Sequence, residues 1–297
     1  MSKNKLQKFA EMQTFERVFQ CSAQELEEKD YRRLGDRKHA LAGHWHEVFQ
    51  NDHPIVLELG CGHGEYTVGL ARRYPEKNFI GIDIKGARMW VGAKQAHADG
   101  LTNAAFLRTN IEILPYFFAP DEVAEIWITF PDPQMKKATK RLTSTYFMAR
   151  YRMLLQDGGL IHLKTDSPFL YTYTREMLRA SAVTPLADTP DLYSLNLEPL
   201  NALNALNSSP KVAGEANRLL ASKREGWRGA KPTETLAEGR RGMSLDLSIR
   251  THYEQQWLDR GLTIKYLQWP LARDTRWTEP DIDIEPDTYK SYGRGTL

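Results

Sequence analysis

The sequence has little cysteine and lacks a long apolar segment. Only two of its 297 residues are cysteine, Cys21 and Cys61, too few for a disulfide framework or a cysteine metal cluster. Its apolar runs are all shorter than a membrane-spanning helix requires, and the first residues lack the apolar core of a signal peptide. These absences predict a cytoplasmic protein with neither a membrane partner nor a bound metal.

Net charge is also small. The 40 basic and 38 acidic residues leave a formal charge of +2, so the total says little about partners and the distribution of charge matters more. Hydrophobic residues make up 41% and charged residues 26%, as in an ordinary globular protein. A chain of this length can hold one large domain with an appendage.

Composition divides the chain into three parts. Residues 1–50 are polar and basic and predict a helical N-terminal extension, with helices over 14–21 and 23–31. Residues 51–271 predict the main domain, in which the stretch 194–243 is irregular enough to be an insertion. Residues 272–297 form an acidic tail that either wraps the surface or is loose.

Within the main domain, strand-length apolar runs alternate with helical patterns, which predicts an α/β fold with a parallel sheet. The expected strands cover 55–59, 78–83, 104–108, 125–130, 160–164 and 262–269. Ligands of open α/β sheets bind beyond the carboxyl ends of the strands. Five residues that could serve a ligand fall at such ends: Gly60, Asp83, Asn110, Asp132 and Asp166.

The central motif is a glycine-rich turn between the first of these strands and a helix. An apolar run from Ile55 breaks into three alternating glycines, Gly60, Gly62 and Gly64. Such a turn lets the backbone approach a nucleotide-like ligand closely. A second apolar run ends at Asp83, twenty-three positions after Gly60, where a carboxylate can accept from both hydroxyls of a ribose.

The spacing of the glycines narrows the choice of cofactor. A dinucleotide fingerprint reads G-x-G-x-x-G, whereas here Glu65 stands where the third glycine belongs. Glu65 and the preceding Glu58 would repel a pyrophosphate at the start of the helix. They suit an adenosine ligand with a cationic end, and this favours S-adenosylmethionine as the cofactor. Among the candidate functions, a nicotinamide-dependent oxidoreductase therefore ranks last.

A second motif follows the strand predicted at 125–130 and reads Phe-Pro-Asp-Pro-Gln-Met-Lys-Lys. Its two prolines fix the backbone around Asp132, which would hold that carboxylate at the sheet edge over the reactive end of the cofactor. Four cations lie within the next residues, a density that favours binding of a phosphate backbone: Lys136, Lys137, Lys140 and Arg141.

These motifs resemble those of the bacterial tRNA (guanine-N7-)-methyltransferases. The resemblance covers residues 47–180 and 248–269, and includes Lys-Thr-Asp at 164–166 and Thr-His-Tyr-Glu at 251–254. It implies a Rossmann-like α/β methyltransferase fold whose mostly parallel sheet has an antiparallel last strand. It also implies transfer of a methyl group from S-adenosylmethionine to N7 of a guanosine in the variable loop of tRNA.

The resemblance further implies roles for individual residues. Asp132 would be the catalytic carboxylate. The implied cofactor contacts, together with the glycines of the turn, are Glu58, Gly60, Gly62, Gly64, Asp83, Asn110 and Asp132. The implied substrate contacts are Lys136, Asp166, Thr251, His252, Tyr253 and Glu254. Position 110 is commonly Asp in the family, and many members carry Trp at position 134, where this chain has Gln.

Several alternatives stay open at this point. The protein could methylate another RNA or a small molecule, or it could bind RNA with this fold and have no catalytic activity. The residues do not decide which of Asp132, Asp166 and Glu254 contacts which guanine atom. They also leave open whether the protein is a monomer or a homodimer.

Overall fold

The computed structural model describes residues 3–21, 38–194 and 247–288. Over these residues the helices are α1 (Lys3–Met12), α2 (Trp45–Phe49), α3 (Glu65–Arg73), α4 (Gly86–Ala98), α5 (Thr145–Tyr151), α6 (Pro168–Ala180) and α7 (His252–Leu258). The strands are β1 (Val18–Gln20), β2 (Ile55–Leu59), β3 (Asn78–Asp83), β4 (Ala104–Arg108), β5 (Val123–Thr129), β6 (Leu155–Thr165), β7 (Ala187–Thr189) and β8 (Lys265–Leu271). Two short 3₁₀ helices cover Ile111–Tyr116 and Ala138–Lys140.

These strands form one sheet in the order β1-β4-β3-β2-β5-β6-β8-β7. All neighbouring pairs from β1 to β6 are parallel, and β8 runs antiparallel to both β6 and β7. The expected α/β fold with an antiparallel last strand is thereby confirmed. Because β2 lies between β3 and β5, the winding of the chain reverses there, and the loops after β2 and β5 flank the crevice where such sheets bind ligands.

The apolar pattern located the central strands well. β2, β3 and β4 have the bounds expected from the sequence, and all five residues of β2 are buried because helices cover both faces of the sheet. β5 and β6 begin earlier than expected. Val123 already pairs with Leu155, and a register shift separates this first pair from the pairing of Glu125 with Leu160.

The ends of the sheet differ from the expectation. The helix predicted over 14–21 is wrong: Val18 pairs with Phe106, which makes β1 a parallel edge strand beside β4. Pairing with an exposed sheet edge has overridden the local helical pattern. β7 was not predicted, and it pairs with β8 from Ala187 to Thr189. The helix predicted over 23–31 and the insertion predicted over 194–243 lie outside the described residues, apart from residue 194.

Both faces of the sheet carry an apolar core. On one face, α2, α5 and α6 contribute Trp45, Tyr151 and Leu170. On the other face, α3 and α4 pack against the sheet together with Met12 and Phe15 from the N-terminal region. The described part of residues 1–50 therefore shares the core of the main domain.

The described part of the acidic tail lies against the first turns of α5 and α6. Glu279 accepts hydrogen bonds from the Thr145 backbone N–H at 3.1 Å and from the Tyr173 hydroxyl at 2.6 Å. Asp287 accepts from the Ser167 hydroxyl at 2.5 Å and the Phe169 N–H at 2.9 Å. Carboxylates are stabilised at helix N-termini, which explains why this segment wraps the surface.

Among the residues that the structure describes, none of the helices combines the length and the apolar character that a transmembrane span needs.

Candidate active site

The glycine turn after β2 has the backbone conformation that its sequence predicts. Gly60, Gly62 and Gly64 have φ angles of 76°, 56° and 73°, in the left-handed region that favours glycine. A Cβ on Gly64 would also lie 2.7 Å from the Phe106 ring, so this glycine lets α3 begin close to β4. Within the described chain, a Cβ on Gly60 would meet no atom within 4 Å, so space for a ligand remains above the turn.

Asp83 lies beside this turn, at the end of β3. The Gly62 N–H donates to Asp83 Oδ2 at 3.0 Å, and the Lys85 N–H donates to Oδ1 at 2.7 Å. These two bonds fix the orientation of the carboxylate next to the glycine backbone. The structure thus places the glycine turn, which the sequence associates with a nucleotide-like ligand, beside the carboxylate that is expected to bind a ribose.

Glu58 lies beneath the turn and is buried. Its Oε2 accepts from the Thr67 N–H at 2.9 Å and the Thr67 hydroxyl at 2.5 Å, and its Oε1 accepts from the Thr129 hydroxyl at 2.7 Å. Burial raises the pKa of Glu58 to about 7, with a further contribution from the negative charge of Asp83, while the hydrogen bonds oppose the rise. Glu58 thereby joins β2, α3 and β5 under the crevice.

A cavity of about 460 Å³ opens beyond Asp83. Ile84 and Ile111 supply apolar wall, and Asn110 lines it from the end of β4. Its remaining lining residues are Thr109, Glu112, Gln134, Lys137, Lys140, Leu142 and Phe147. Asn110 Oδ1 accepts from the Glu112 N–H at 3.0 Å and so caps the 3₁₀ helix Ile111–Tyr116.

The Phe-Pro-Asp-Pro loop occupies the other side of the crevice, after β5. Phe130 and Gln134 both have a φ of 47°, a costly conformation for residues other than glycine that is concentrated at functional sites. The Phe130 N–H donates to the Lys164 carbonyl at 2.8 Å, which ties the loop to β6. Inside the loop, the Gln134 N–H donates to Asp132 Oδ1 at 3.1 Å and orients that carboxylate.

Arg141 holds this loop and is not available as a surface cation. It is only 8% exposed, and its guanidinium donates to the Gln134 carbonyl at 3.2 Å and the Met135 carbonyl at 2.9 Å. The guanidinium also lies 4.3 Å from the ring centre of Tyr173. This corrects the expectation that four cations face a phosphate backbone, because Arg141 is a structural member of the loop.

The other three cations of the segment are exposed. Lys136 and Lys137 lie at the surface beside the Asp132 loop, and Lys137 also lines the cavity. Lys140 forms an ion pair with the buried Glu112. The basic segment therefore borders both the solvent and the cavity.

His252 and Tyr253, at the start of α7, lie against the glycine turn. The His252 N–H donates to Glu65 Oε2 at 2.8 Å, and the Tyr253 ring stacks with His63 at a centroid distance of 6.3 Å. Asp166 follows β6 at the same edge of the sheet, and Lys265 Nζ donates to its backbone carbonyl at 3.0 Å. Three of the expected substrate contacts thus lie at the ligand-binding edge.

Glu254 lies in the interior instead. It is 0% exposed and forms an ion pair with Lys164 at 2.9 Å, while the Tyr193 hydroxyl donates to it at 2.5 Å. Thr251 and Glu254 form a capping box at the start of α7. Both side chains are thus engaged in the start of α7, and the substrate contacts expected of them stay a prediction.

Three further residues at the site were not found from the sequence. Thr109 and Glu112 line the cavity, and Gln134 faces it from the Asp132 loop. The sequence did contain a signal for Glu112, which lies two residues after Asn110. A residue so close to the end of a strand lies at the same edge of the sheet and could have been expected at the site. Within the described ranges, no group of three or more His, Cys, Asp or Glu residues is arranged to hold a metal ion.

The sheet is mostly parallel, and around its switch point lie a glycine turn, an acid at the end of β3 and a strained loop that carries Asp132. This combination defines a Rossmann-like methyltransferase. Comparison with known proteins agrees, since a family model described as "Putative methyltransferase" matches residues 52–218. A solved structure described as an antibiotic related methyltransferase is similar at a TM-score of 0.47 and 14% identity, over 80% of this chain and 96% of that one.

Two relatives identify the family. The tRNA (guanine-N(7)-)-methyltransferase of Bacteroides thetaiotaomicron is 48% identical over 295 residues, which cover 99% of this chain and 96% of that protein. The protein of the same name from Porphyromonas gingivalis is 50% identical over 285 residues, covering 95% and 96%. The chain belongs to the tRNA (guanine-N(7)-)-methyltransferase family, which confirms the resemblance of its motifs.

Proposed function

We propose that this protein transfers the methyl group of S-adenosylmethionine to N7 of a guanosine in tRNA, at the variable-loop position that the motif resemblance implies. The observation that carries the proposal is the position of Asp132. Its loop lies at the switch point of the sheet, between the glycine turn with Asp83 and the exposed lysines Lys136 and Lys137. Acting on tRNA, the protein would work in the cytoplasm.

The residues present fit the cofactor. S-adenosylmethionine supplies an electrophilic methyl group on a sulfonium. Asp83 would accept from the ribose hydroxyls, and Asn110 with the apolar walls of the cavity would hold the base. The left-handed backbone at Gly60 and Gly62 leaves open space for the rest of the ligand. Glu58 would act from beneath, through the hydrogen bonds that join β2 to α3 and β5.

The chain's own contribution to the chemistry is positioning and electrostatics. Guanine N7 carries a lone pair on the major-groove edge, so no proton has to be removed before methylation. The protein must hold the base out of its stack and align N7 with the methyl donor. Asp132 would stabilise the positive charge that the ring acquires, because a fixed carboxylate nearby lowers the energy of that charge.

Recognition of guanine falls to Asp166 in this proposal. A carboxylate can accept from the guanine N1–H and exocyclic amine together, a pattern that adenine does not offer. Glu254 could have served equally by its chemistry, but it is 0% exposed in its pair with Lys164, whereas Asp166 is 9% exposed and follows β6 at the ligand-binding edge. His252 and Tyr253 would contact the substrate from the start of α7, beside the glycine turn.

Neutralising Lys136 and Lys137 should weaken tRNA binding. Each lysine that pairs with a phosphate releases counterions, so the double variant Lys136→Gln/Lys137→Gln should reduce the slope of log affinity against log salt by about one to two. Binding titrations at several salt concentrations measure this slope.

The matched control for that pair is Arg175→Gln/Arg179→Gln on α6. Both arginines are exposed, and α6 runs from the ligand-binding edge toward the opposite edge of the sheet. This control should keep the wild-type slope. An equal loss in both double variants would instead indicate a nonspecific effect of total charge.

The proposed function itself is tested by nucleoside mass analysis. Unmodified tRNA incubated with the protein and S-adenosylmethionine should gain N7-methylguanosine, whereas incubations without protein or without cofactor should not. Methylation of other RNA but not of tRNA would favour the alternative RNA substrate. Binding of both ligands without any methylated product would favour an RNA-binding protein that has no catalytic activity.

A further inference from the structure

Asp287, in the acidic tail, contacts two elements at the ligand-binding edge of the sheet. Its carboxylate accepts from the Ser167 hydroxyl at 2.5 Å, one residue after Asp166. Its own backbone N–H donates to Met135 Sδ at 3.2 Å, in the loop that carries Asp132. One residue of the tail thus joins the two segments that supply the carboxylates of the proposed reaction.

The contact with Ser167 completes the cap of α6. Ser167 is the N-cap residue, and its hydroxyl accepts from the Leu170 N–H at 2.9 Å. Asp287 accepts from that same hydroxyl and also from the Phe169 N–H at 2.9 Å. Both N–H groups belong to the first turn, where a helix has no internal acceptors for them. Asp287 therefore helps to fix where α6 begins, and with it the residue that precedes the cap.

Lys265 holds Asp166 from the opposite side of the chain, on β8. It is buried, and its Nζ donates to the Asp166 carbonyl at 3.0 Å. Burial lowers the pKa of Lys265, and the negative charges of Asp166, Asp287 and Asp191 oppose that shift. The Asp166 segment is thus fixed by Lys265 on β8 and, through Ser167, by the tail.

The contact with Met135 supports a strained part of the Asp132 loop. The neighbouring Gln134 has a positive φ, and Arg141 donates to the Met135 carbonyl at 2.9 Å. A residue keeps such a conformation only where its surroundings hold it in place. Asp287 and Arg141 therefore both hold the segment that follows Asp132.

We propose that Asp287 is a positioning residue for methyl transfer, which fixes Asp166 and the Asp132 loop relative to each other. It acts through Ser167 and Met135 and gives the acidic tail a part in the reaction. Alignment is sensitive to such support, since a displacement of about 1 Å caused far from the reacting atoms can cost about 100-fold in rate. This inference rests on the proposed function.

Replacing Asp287 by alanine should lower the single-turnover rate of methyl transfer to tRNA by about 10-fold, because both contacts of the carboxylate are lost. Affinity for S-adenosylhomocysteine in calorimetric titrations should stay within about twofold, since the glycine turn and Asp83 lie in other elements. Asp287→Asn should keep most of the rate, because its amide oxygen still accepts from the Phe169 N–H.

A second measurement reports on Asp166. A tRNA with inosine in place of the modified guanosine keeps N7 and lacks the exocyclic amine. The wild type should methylate the guanosine tRNA faster, because the carboxylate accepts from that amine. Asp287→Ala should reduce this preference by about threefold or more, since Asp166 is displaced from the base. A general loss of folded protein would slow both substrates equally and leave the ratio unchanged.

Two control variants accompany the test. Glu122→Ala removes a carboxylate that accepts from the Gly43 and Ala119 N–H groups just before β5, at the opposite edge of the sheet. It should lower the melting temperature and leave the single-turnover rate unchanged. Asp283→Ala removes one charge from an exposed position of the same tail and should change neither.

The outcomes are distinct for the two proposals. A wild-type rate and preference in folded Asp287→Ala would overturn the positioning role and leave the proposed function intact. Faster transfer in that variant would also overturn it, because the tail would then compete with the substrate. If Asp287→Ala does not fold, Ser167→Ala decides, and a wild-type preference there would overturn the role. A wild type that does not methylate tRNA would overturn the proposed function and this role with it.

Discussion

Replacing Asp132 by asparagine should lower the single-turnover rate of methyl transfer by about 100-fold or more, by analogy with the loss of other electrostatic stabilisers. The substitution keeps an oxygen that can accept from the Gln134 N–H, so the strained loop between Phe130 and Gln134 should retain its conformation. It removes the negative charge, and with it the stabilisation of the positively charged purine. Cofactor and tRNA affinity should change little.

The rate is measured on unmodified tRNA with the protein in excess over the tRNA, so that product release does not affect the observed rate. Asp157→Asn is the matched control, because it makes the same chemical change at a different place. Asp157 lies near the start of β6, at the edge of the sheet opposite to the ligand-binding edge. A thermal melt of both variants accompanies the kinetics. A near-normal rate with a lowered melting temperature would show that Asp132 serves the loop structure and not the reaction.

The parts of the fold that the sequence predicted are those dictated by local chemistry. Most residues of β2, β3 and β4 are apolar, and each strand ends at or just before a glycine or a polar residue. The sequence therefore shows that these strands are buried and where they begin and end. β1 and β7 are three-residue strands whose only strand character is pairing with a neighbour. No periodicity can appear in so few residues, and the edge they pair with is remote in sequence.

The same distinction holds for the site. The glycines of the turn were predicted because a positive φ excludes most other residues, a constraint that is visible in the sequence. The roles of Arg141 and Glu112 depend instead on partners from distant elements, such as Tyr173 on α6 and Lys140 in the basic segment. A sequence shows that a charge exists, but only packing decides whether that charge faces solvent, backbone or a cavity.

Packing also explains the largest effect expected on stability, which concerns the buried pair of Lys164 and Glu254. Both side chains are 0% exposed and 2.9 Å apart, and Lys164 Nζ also donates to the Ile249 carbonyl at 3.2 Å. Burial lowers the pKa of Lys164, an effect that the neighbouring carboxylate opposes. Lys164→Met would leave the carboxylate buried without its cation, and should lower the free energy of unfolding by about 3–5 kcal/mol.

The double variant Lys164→Met/Glu254→Leu tests whether that loss comes from the unpaired charge. Because it removes both ions, it should be more stable than Lys164→Met alone in urea unfolding followed by circular dichroism. Glu176→Gln breaks the surface pair with Arg179 and serves as the control, with an expected change below about 1 kcal/mol. If Glu254 were instead a substrate contact, Glu254→Gln would raise KM for tRNA and leave the unfolding curve where it was. If Glu254 instead anchors α7 as a buried ion, Glu254→Gln should shift the unfolding curve and change KM for tRNA little.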